Sequence, residues 1–285
     1  MDISESIILG IIQGLTEWLP ISSSGHLVLA NKWMGMAMPV SFGVILHLST
    51  ALVIIVMFKN DIKTIIKSVT NPKLPGDPKK RYNSTKNPGK SPGYWQCART
   101  DPQALFGWWI IVGSMPIAFI GMLFYETFEV FFSSVIIVGI ALIGSGLALA
   151  ISSTVIKTAH KKQMNALDAY TIGLGQGLAL IPGFSRSGLT ISFGLLRNVE
   201  RETVARYSIL LAVPAIIGAA IWETPGMING GTAGVPPLAL LVGGVTAFVV
   251  GYVAIKLLLF IVKKAGLHFF ALYCFGLGVI IISTV

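Results

Sequence analysis

Long apolar runs separated by short polar segments dominate the chain. Six runs approach or exceed the ~20 residues that a helix needs to cross the hydrocarbon of a bilayer, roughly 30 Å thick. They cover approximately residues 39–58, 104–125, 131–156, 203–222, 237–261 and 266–285. The pattern therefore predicts an all-α polytopic membrane protein.

Two further apolar segments are too short to cross. Residues 7–19 and 169–181 contain 13 residues each, which is about 20 Å of helix. Each ends near a proline, Pro20 or Pro182, and runs into serines and glycines. Because broken backbone persists at membrane depth only inside protein or beside a watery cavity, we predict two re-entrant helical hairpins. The first enters from outside and the second from the cytoplasm.

The composition supports membrane insertion. Hydrophobic residues make up 54% of the chain and charged residues only 12%, whereas a soluble domain has about 25% charged residues. This composition excludes a soluble globular protein, and it also excludes a disordered chain or a coiled coil, both of which need more charge.

The positions of the charges predict the orientation. The formal net charge is +9, and basic residues cluster at residues 59–99, 157–162, 197–206 and 256–264, each beside an apolar run. Few aromatic residues interleave with them, so nucleic acid is not an expected partner. Placing every cluster in the cytoplasm gives a consistent path, with a basic cytoplasmic loop at about 59–103 and both termini outside.

The two hairpins resemble each other. Gln13-Gly14-Leu15 precedes Pro20 and Ser22-Ser23-Ser24-Gly25, and Gln176-Gly177-Leu178 precedes Pro182 and Ser185-Arg186-Ser187-Gly188. Because three predicted spans follow each copy, the second copy must be inverted. We predict a single integral membrane domain, 1–285, with repeats at about 1–156 and 165–285. The functional site of such repeats lies near the midplane, where the broken segments meet.

The first hairpin carries acidic and hydroxyl groups. Gln13 and Glu17 share one helix face. One interpretation is a polar stripe that packs against a neighbouring helix, and the other is a site where Glu17 acts as a base or holds a divalent cation. Three serines beside His26 suggest an activated nucleophile, or simply a helix cap. His47, in the first span, is interpreted as a hydrogen-bonded packing residue, with contact to the site as the alternative.

The second hairpin combines Arg186 with hydroxyl groups at Ser185, Ser187 and Thr190. A glycine-rich turn that opens a helix, together with a planar guanidinium, is suited to binding phosphate. The alternative is a structural salt bridge between Arg186 and Glu17.

The segments QGLTEWLPISSSGH and PGFSRSGLT resemble the two signature motifs of the undecaprenyl-diphosphate phosphatase, or bacitracin-resistance, family. This resemblance implies inverted repeats and hydrolysis of a polyprenyl diphosphate to the monophosphate and inorganic phosphate. By position, the catalytic residues of the family fall on Glu17, Ser23, His26 and Arg186. The diphosphate-binding residues fall on Gln13, Ser22, Ser24, Ser185, Arg186, Ser187 and Thr190. Gln13 is a departure, because many members have glutamate there.

The resemblance also implies a cofactor and partners. The expected cofactor is Mg²⁺ or Ca²⁺, held with help from Glu17. The expected partners are the polyprenyl diphosphate substrate and membrane lipids, with bacitracin competing for the substrate and a homodimer as a candidate assembly. The expected location is the cytoplasmic (inner) membrane, with the site facing outward.

Two other functions are alternatives to this phosphatase. A transporter or flippase of a polyprenyl phosphate lipid also uses inverted repeats with broken helices, but a carrier needs no nucleophile. A phosphatidic-acid-type phosphatase needs a second histidine soon after its Ser-Arg element, and residues 189–196 contain none.

Overall fold

The computed structural model describes residues 1–36, 38–72, 93–155, 158–230, 235–264 and 266–284, and the regular structure within them is helical apart from an isolated bridge between Lys161 and Val199. The all-α fold class is therefore confirmed. The helices are α1 (Ile3–Trp18), α2 (Ser23–Met34), α3 (Val40–Met57), α4 (Lys59–Thr70), α5 (Tyr94–Ala98), α6 (Pro102–Phe132), α7 (Val135–Val155), α8 (Ala166–Leu178), α9 (Arg186–Leu196), α10 (Arg201–Gly230), α11 (Pro237–Lys264) and α12 (His268–Ser283).

Five of the six predicted spans are long and apolar enough to cross a membrane: α3, α6 up to Phe124, α7, α10 up to Pro225, and α11. The sixth, predicted at 266–285, is shorter than expected. Its helix, α12, has 16 residues, or about 24 Å. It begins only at His268 because Gly266 has a φ of +86°, in the left-handed region, and interrupts the helix.

The region predicted as a basic loop, 59–103, is partly helical. It contains α4 and α5, and α4 packs against α6. The middle of this region, residues 73–92, lies outside the described residues.

Large apolar side chains cover the outer faces of the spans. The exposed fraction is more than 60% for each of Phe119, Ile221, Leu241 and Leu272. Soluble proteins rarely expose apolar surface of this extent to water. The buried core contains side chains from both halves of the chain, such as Trp18 and Ile191. These features are those of a protein embedded in a membrane.

The first helix of each predicted hairpin packs against a long apolar helix from the other half of the chain. α1 lies along α11, where Gly10 faces Gly243 and Gly14 faces Ala247, so the two helices run parallel. An added Cβ at either glycine would lie 2.7 Å from a backbone oxygen, so this close approach requires glycine. α8 lies along α6 in the same parallel sense, while α7 and α12 run antiparallel. The inverted-repeat relation stays a prediction, which these directions support.

A buried carboxylate fixes the start of the second hairpin. Asp168, fully buried in the first turn of α8, accepts hydrogen bonds from Lys161 Nζ, from Asn165 N at 2.9 Å and from Arg197 Nε at 3.1 Å. Burial alone would raise the pKa of Asp168, but the bonds from Lys161, Asn165 and Arg197 outweigh it and lower the pKa below its ordinary value. The carboxylate therefore ties α8 to the end of α9.

Candidate active site

The turns of the two hairpins meet inside the protein. Gly183 N donates to Ser24 Oγ at 3.3 Å, which links the second turn to the first. Ser22 and Gly183 both have positive φ values, 73° and 99°. Gly183 lies against the backbone of Val138, where a side chain would clash. Only glycine accommodates both this φ value and this contact without strain.

Two helices begin at this junction. Ser22 caps α2 by accepting from Gly25 N, and Ser185 caps α9 by accepting from Gly188 N, both at 3.1 Å. The amino end of a helix carries partial positive charge and unpaired N–H groups. Two such ends at one junction form an environment that is favourable for an anion.

Glu17 lies at the centre of the junction and is 7% exposed. Its Oε1 accepts a hydrogen bond from Arg186 Nη2 at 2.5 Å, across the two hairpins. Its Oε2 accepts from Ser23 Oγ at 2.6 Å and from Gln13 Nε2 at 3.0 Å. The carboxylate is therefore hydrogen-bonded directly to a serine hydroxyl, which is the arrangement of a general base and a nucleophile.

One donor nitrogen of the Arg186 guanidinium is unpaired. Its guanidinium lies 5.5 Å from the centre of the Trp18 ring, and only 16% of the side chain is exposed. Nη2 pairs with Glu17, whereas Nη1 is buried without a hydrogen-bond partner. Because an unpaired buried donor on a charged group is costly, its retention points to a ligand that supplies an acceptor.

His26 lies beside the serines, but its ring nitrogens bond to groups other than the Ser23 hydroxyl. Its Nδ1 donates to the Ser22 carbonyl at 2.7 Å, and its Nε2 lies 2.7 Å from the Tyr273 hydroxyl, on which the ring also stacks. Both ring nitrogens are thus engaged away from the Ser23 hydroxyl. In this arrangement the ionisable group that is hydrogen-bonded to Ser23 is the carboxylate of Glu17.

His47 belongs to the site. Its Nε2 lies 3.7 Å from Glu17 Oε2, while its Nδ1 donates to the Gly43 carbonyl at 2.9 Å. The interpretation of His47 as a packing residue alone was therefore incomplete. Its place as an ionisable group within an apolar span was the signal in the sequence.

The remaining predicted residues hold the second turn together. Ser185 Oγ and Ser187 Oγ lie 3.3 Å apart, and Ser185 N donates to Ser145 Oγ at 2.9 Å. Thr190 is fully buried, and its hydroxyl bonds with Ser208 Oγ at 2.6 Å. Thr190 thus joins α9 to α10.

The sequence matches a family model described as bacitracin resistance protein BacA over residues 6–280. The chain belongs to this family. Similar proteins from several organisms carry the name undecaprenyl-diphosphatase. The protein of Desulforapulum autotrophicum is 39% identical over 282 residues, covering 98% of this chain and 97% of the relative. Those of Halothermothrix orenii and Methanosphaera stadtmanae are each 37% identical, covering 99% of this chain and 98% of the relative.

Membership of the BacA family confirms the resemblance inferred from the two motifs. Within this BacA family member, the predicted carboxylate, nucleophile and arginine form one hydrogen-bonded chain from Ser23 through Glu17 to Arg186. Trp18, Ser145 and Tyr273 also lie beside the site, and sequence spacing alone does not mark them. Ser and Tyr within apolar helices are too common to single out by type alone.

The donor set fits the divalent cation that the BacA resemblance implies. No group of three His, Cys, Asp or Glu residues suited to a metal occurs in the described part of the chain. Mg²⁺ needs fewer, because it is usually bound by one or two carboxylates with waters and substrate phosphates. Glu17 supplies a carboxylate, Ser23 a hydroxyl, and Gln13 a buried Oε1 that has no hydrogen-bond partner. That unpaired oxygen is the observation that favours a cation.

Proposed function

We propose that this protein hydrolyses undecaprenyl diphosphate to undecaprenyl phosphate and inorganic phosphate. The names of the full-length relatives support this substrate. One structural observation carries the proposal: Ser23 Oγ donates to Glu17 Oε2 at 2.6 Å, while Glu17 Oε1 pairs with an arginine whose Nη1 is free. A nucleophile, its base and a cationic phosphate donor therefore lie together at two helix amino ends.

The reaction begins with the diphosphate at the junction of the hairpins. Arg186 Nη1 and the N–H groups at the starts of α2 and α9 bind the phosphate oxygens. Glu17 Oε2 accepts the proton of Ser23, whose Oγ attacks the terminal phosphorus and breaks its bond to the bridging oxygen. The lipid monophosphate leaves, and water then cleaves the phosphoserine to release phosphate and restore the hydroxyl. The alternative nucleophile is a water that Glu17 deprotonates directly.

His26 and Gln13 position the reacting groups. His26 Nδ1 holds the carbonyl of Ser22 and so supports the serine turn, and Gln13 orients Glu17 Oε2. A divalent cation would be held by Glu17, Gln13 Oε1 and Ser23. When bound, it would neutralise the negative charge of the phosphates.

The location of the reaction is also part of the proposal. The lipid tail remains in the bilayer while the head group enters the junction from the external face of the cytoplasmic membrane. The basic clusters support this orientation. Bacitracin then competes by binding the same lipid, and a homodimer is the assembly to test.

The direct test is release of inorganic phosphate from C55 polyprenyl diphosphate by the purified protein in detergent, with and without EDTA. We expect release that EDTA suppresses and that Glu17→Gln lacks. A carrier cannot register in detergent, so folded wild-type protein that releases no phosphate would favour the flippase alternative. Full activity in EDTA, after prior removal of bound metal, would contradict the requirement for a divalent cation but would leave the proposed phosphatase activity standing.

A further inference from the structure

His47 has the surroundings of a metal ligand. Its Nδ1 donates to the Gly43 carbonyl at 2.9 Å, so the hydrogen of the neutral ring lies on Nδ1 and the lone pair lies on Nε2. A histidine that binds a metal almost always donates its other ring N–H in this way, commonly to a backbone carbonyl. That bond fixes the direction of the lone pair.

The lone pair lies next to the carboxylate of the site. His47 Nε2 is 3.7 Å from Glu17 Oε2, which is too long for a hydrogen bond. Two ligands that each lie about 2.1 Å from one cation are separated by about 3.0 to 3.6 Å, depending on the angle between them. The observed separation is close to the upper end of this range, so a small movement of either side chain would let both bind one ion.

A third donor is present at the same place. Gln13 donates to Glu17 Oε2 through Nε2, and its own Oε1 is buried without a partner in a residue that is fully buried. An amide oxygen is a ligand for hard and borderline divalent cations. The helices α1 and α3, which pack against each other, thus bring an imidazole nitrogen, a carboxylate oxygen and an amide oxygen together.

We propose that His47 is a direct ligand of the divalent cation, together with Glu17 and Gln13. This inference rests on the proposed function, because it concerns the cation of the same site. An imidazole ligand favours a first-row transition ion such as Mn²⁺ over Ca²⁺, which prefers oxygen ligands alone. The cofactor class that this ligand set favours is therefore a transition ion, in place of the Mg²⁺ or Ca²⁺ that the family resemblance implies.

The test is Mn²⁺ bound to the purified protein in detergent, observed by pulsed electron paramagnetic resonance without any substrate. We expect modulation from a coordinated ¹⁴N nucleus in the wild type and its loss in His47→Gln. His160→Gln is the matched control, because His160 is exposed on a connecting segment. His26→Gln separates the two histidines of the site, and its ¹⁴N modulation should persist.

Binding of Mn²⁺ gives a second readout. We expect the dissociation constant to rise at least about tenfold in His47→Gln, with the preference between Mn²⁺ and Ca²⁺ shifting toward Ca²⁺. His47→Asn serves if His47→Gln does not fold, as judged by size-exclusion chromatography. Absence of ¹⁴N coupling in the wild type, or its persistence without His47, would overturn the ligand assignment. If the coupling is present but the wild type releases no phosphate, the proposed function fails and the ligand assignment stands.

Discussion

Replacing Arg186 separates a structural salt bridge from a phosphate-binding group. The bridge exists, because Arg186 Nη2 donates to Glu17 Oε1 at 2.5 Å and both side chains are largely buried. The other half of the guanidinium fork, Nη1, is unpaired. Arg186→Lys retains one charged donor for Glu17 but loses the second donor of the planar fork.

The expected fall in the rate of phosphate release follows from the number of donors that each Arg186 variant loses. One hydrogen bond to a charged group contributes roughly 1.5–3 kcal/mol, and each ~1.36 kcal/mol is tenfold in rate. Arg186→Lys should therefore lower phosphate release by about ten- to 150-fold at saturating lipid. Arg186→Ala should lose more, and it should also lose about 3–5 kcal/mol of stability because Glu17 stays buried without its partner.

The Glu17→Gln/Arg186→Gln double variant distinguishes the two roles. It removes both charges, so its thermal unfolding midpoint should recover relative to Arg186→Ala. Phosphate release should stay at background, because the base and the phosphate donor are both absent. Recovery of near-wild-type phosphate release in the double variant would show that Arg186 serves only to neutralise Glu17, and it would refute the mechanism.

Three further predictions concern the base, the topology and the second hairpin. Glu17→Gln should abolish phosphate release in folded protein while Gln13→Glu is tolerated, and near-normal turnover of Glu17→Gln would rule out its role as base. When both native cysteines of the protein are replaced, an impermeant maleimide applied to intact cells should label Lys32→Cys but not Lys162→Cys. The reverse pattern would overturn the orientation. Asp168→Asn should lower the unfolding midpoint. Because the pKa of Asp168 is lowered on folding, its contribution is present above the ordinary carboxyl pKa of about 3.9. This stabilisation should be lost as the pH falls through the lower folded-state pKa. If the wild type and Asp168→Asn had the same unfolding midpoint at neutral pH, the stabilising role of the Asp168 carboxylate would be contradicted.

Hydropathy and motif spacing predicted most of the helical framework. Five spans and both short hairpin helices followed from apolar length alone, because the bilayer imposes a fixed thickness on a helix. α1 and α8 begin earlier than predicted since Asp2 and Asn165 form capping boxes with Glu5 and Asp168. Caps of this kind extend a helix into polar sequence, where hydropathy gives no signal.

The pairing across the hairpins could be predicted only as alternatives. The sequence offered Glu17 as a base or as a partner of Arg186, and the structure shows that Glu17 makes both contacts through separate oxygens. The roles of the two histidines could not be assigned from spacing. His26 is adjacent to the serines in sequence yet turns to Tyr273, which lies 247 residues away, whereas His47 reaches Glu17 from another helix. Such contacts depend on helix packing and not on local sequence.

The most direct measurement compares phosphate release by Ser23→Ala and Ser24→Ala, purified in detergent, from undecaprenyl diphosphate at saturating concentration. The two serines are neighbours, but only Ser23 donates to Glu17, while Ser24 accepts from Gly183 N. Ser23→Ala should fall at least a thousandfold, to the background of Glu17→Gln, because the attacking oxygen is gone. Ser24→Ala should stay within about tenfold of wild type, since it loses only two long neutral hydrogen bonds, to Gly183 N and Ser22 Oγ. Ser23→Ala that retains more than a tenth of wild-type turnover would contradict Ser23 as the nucleophile.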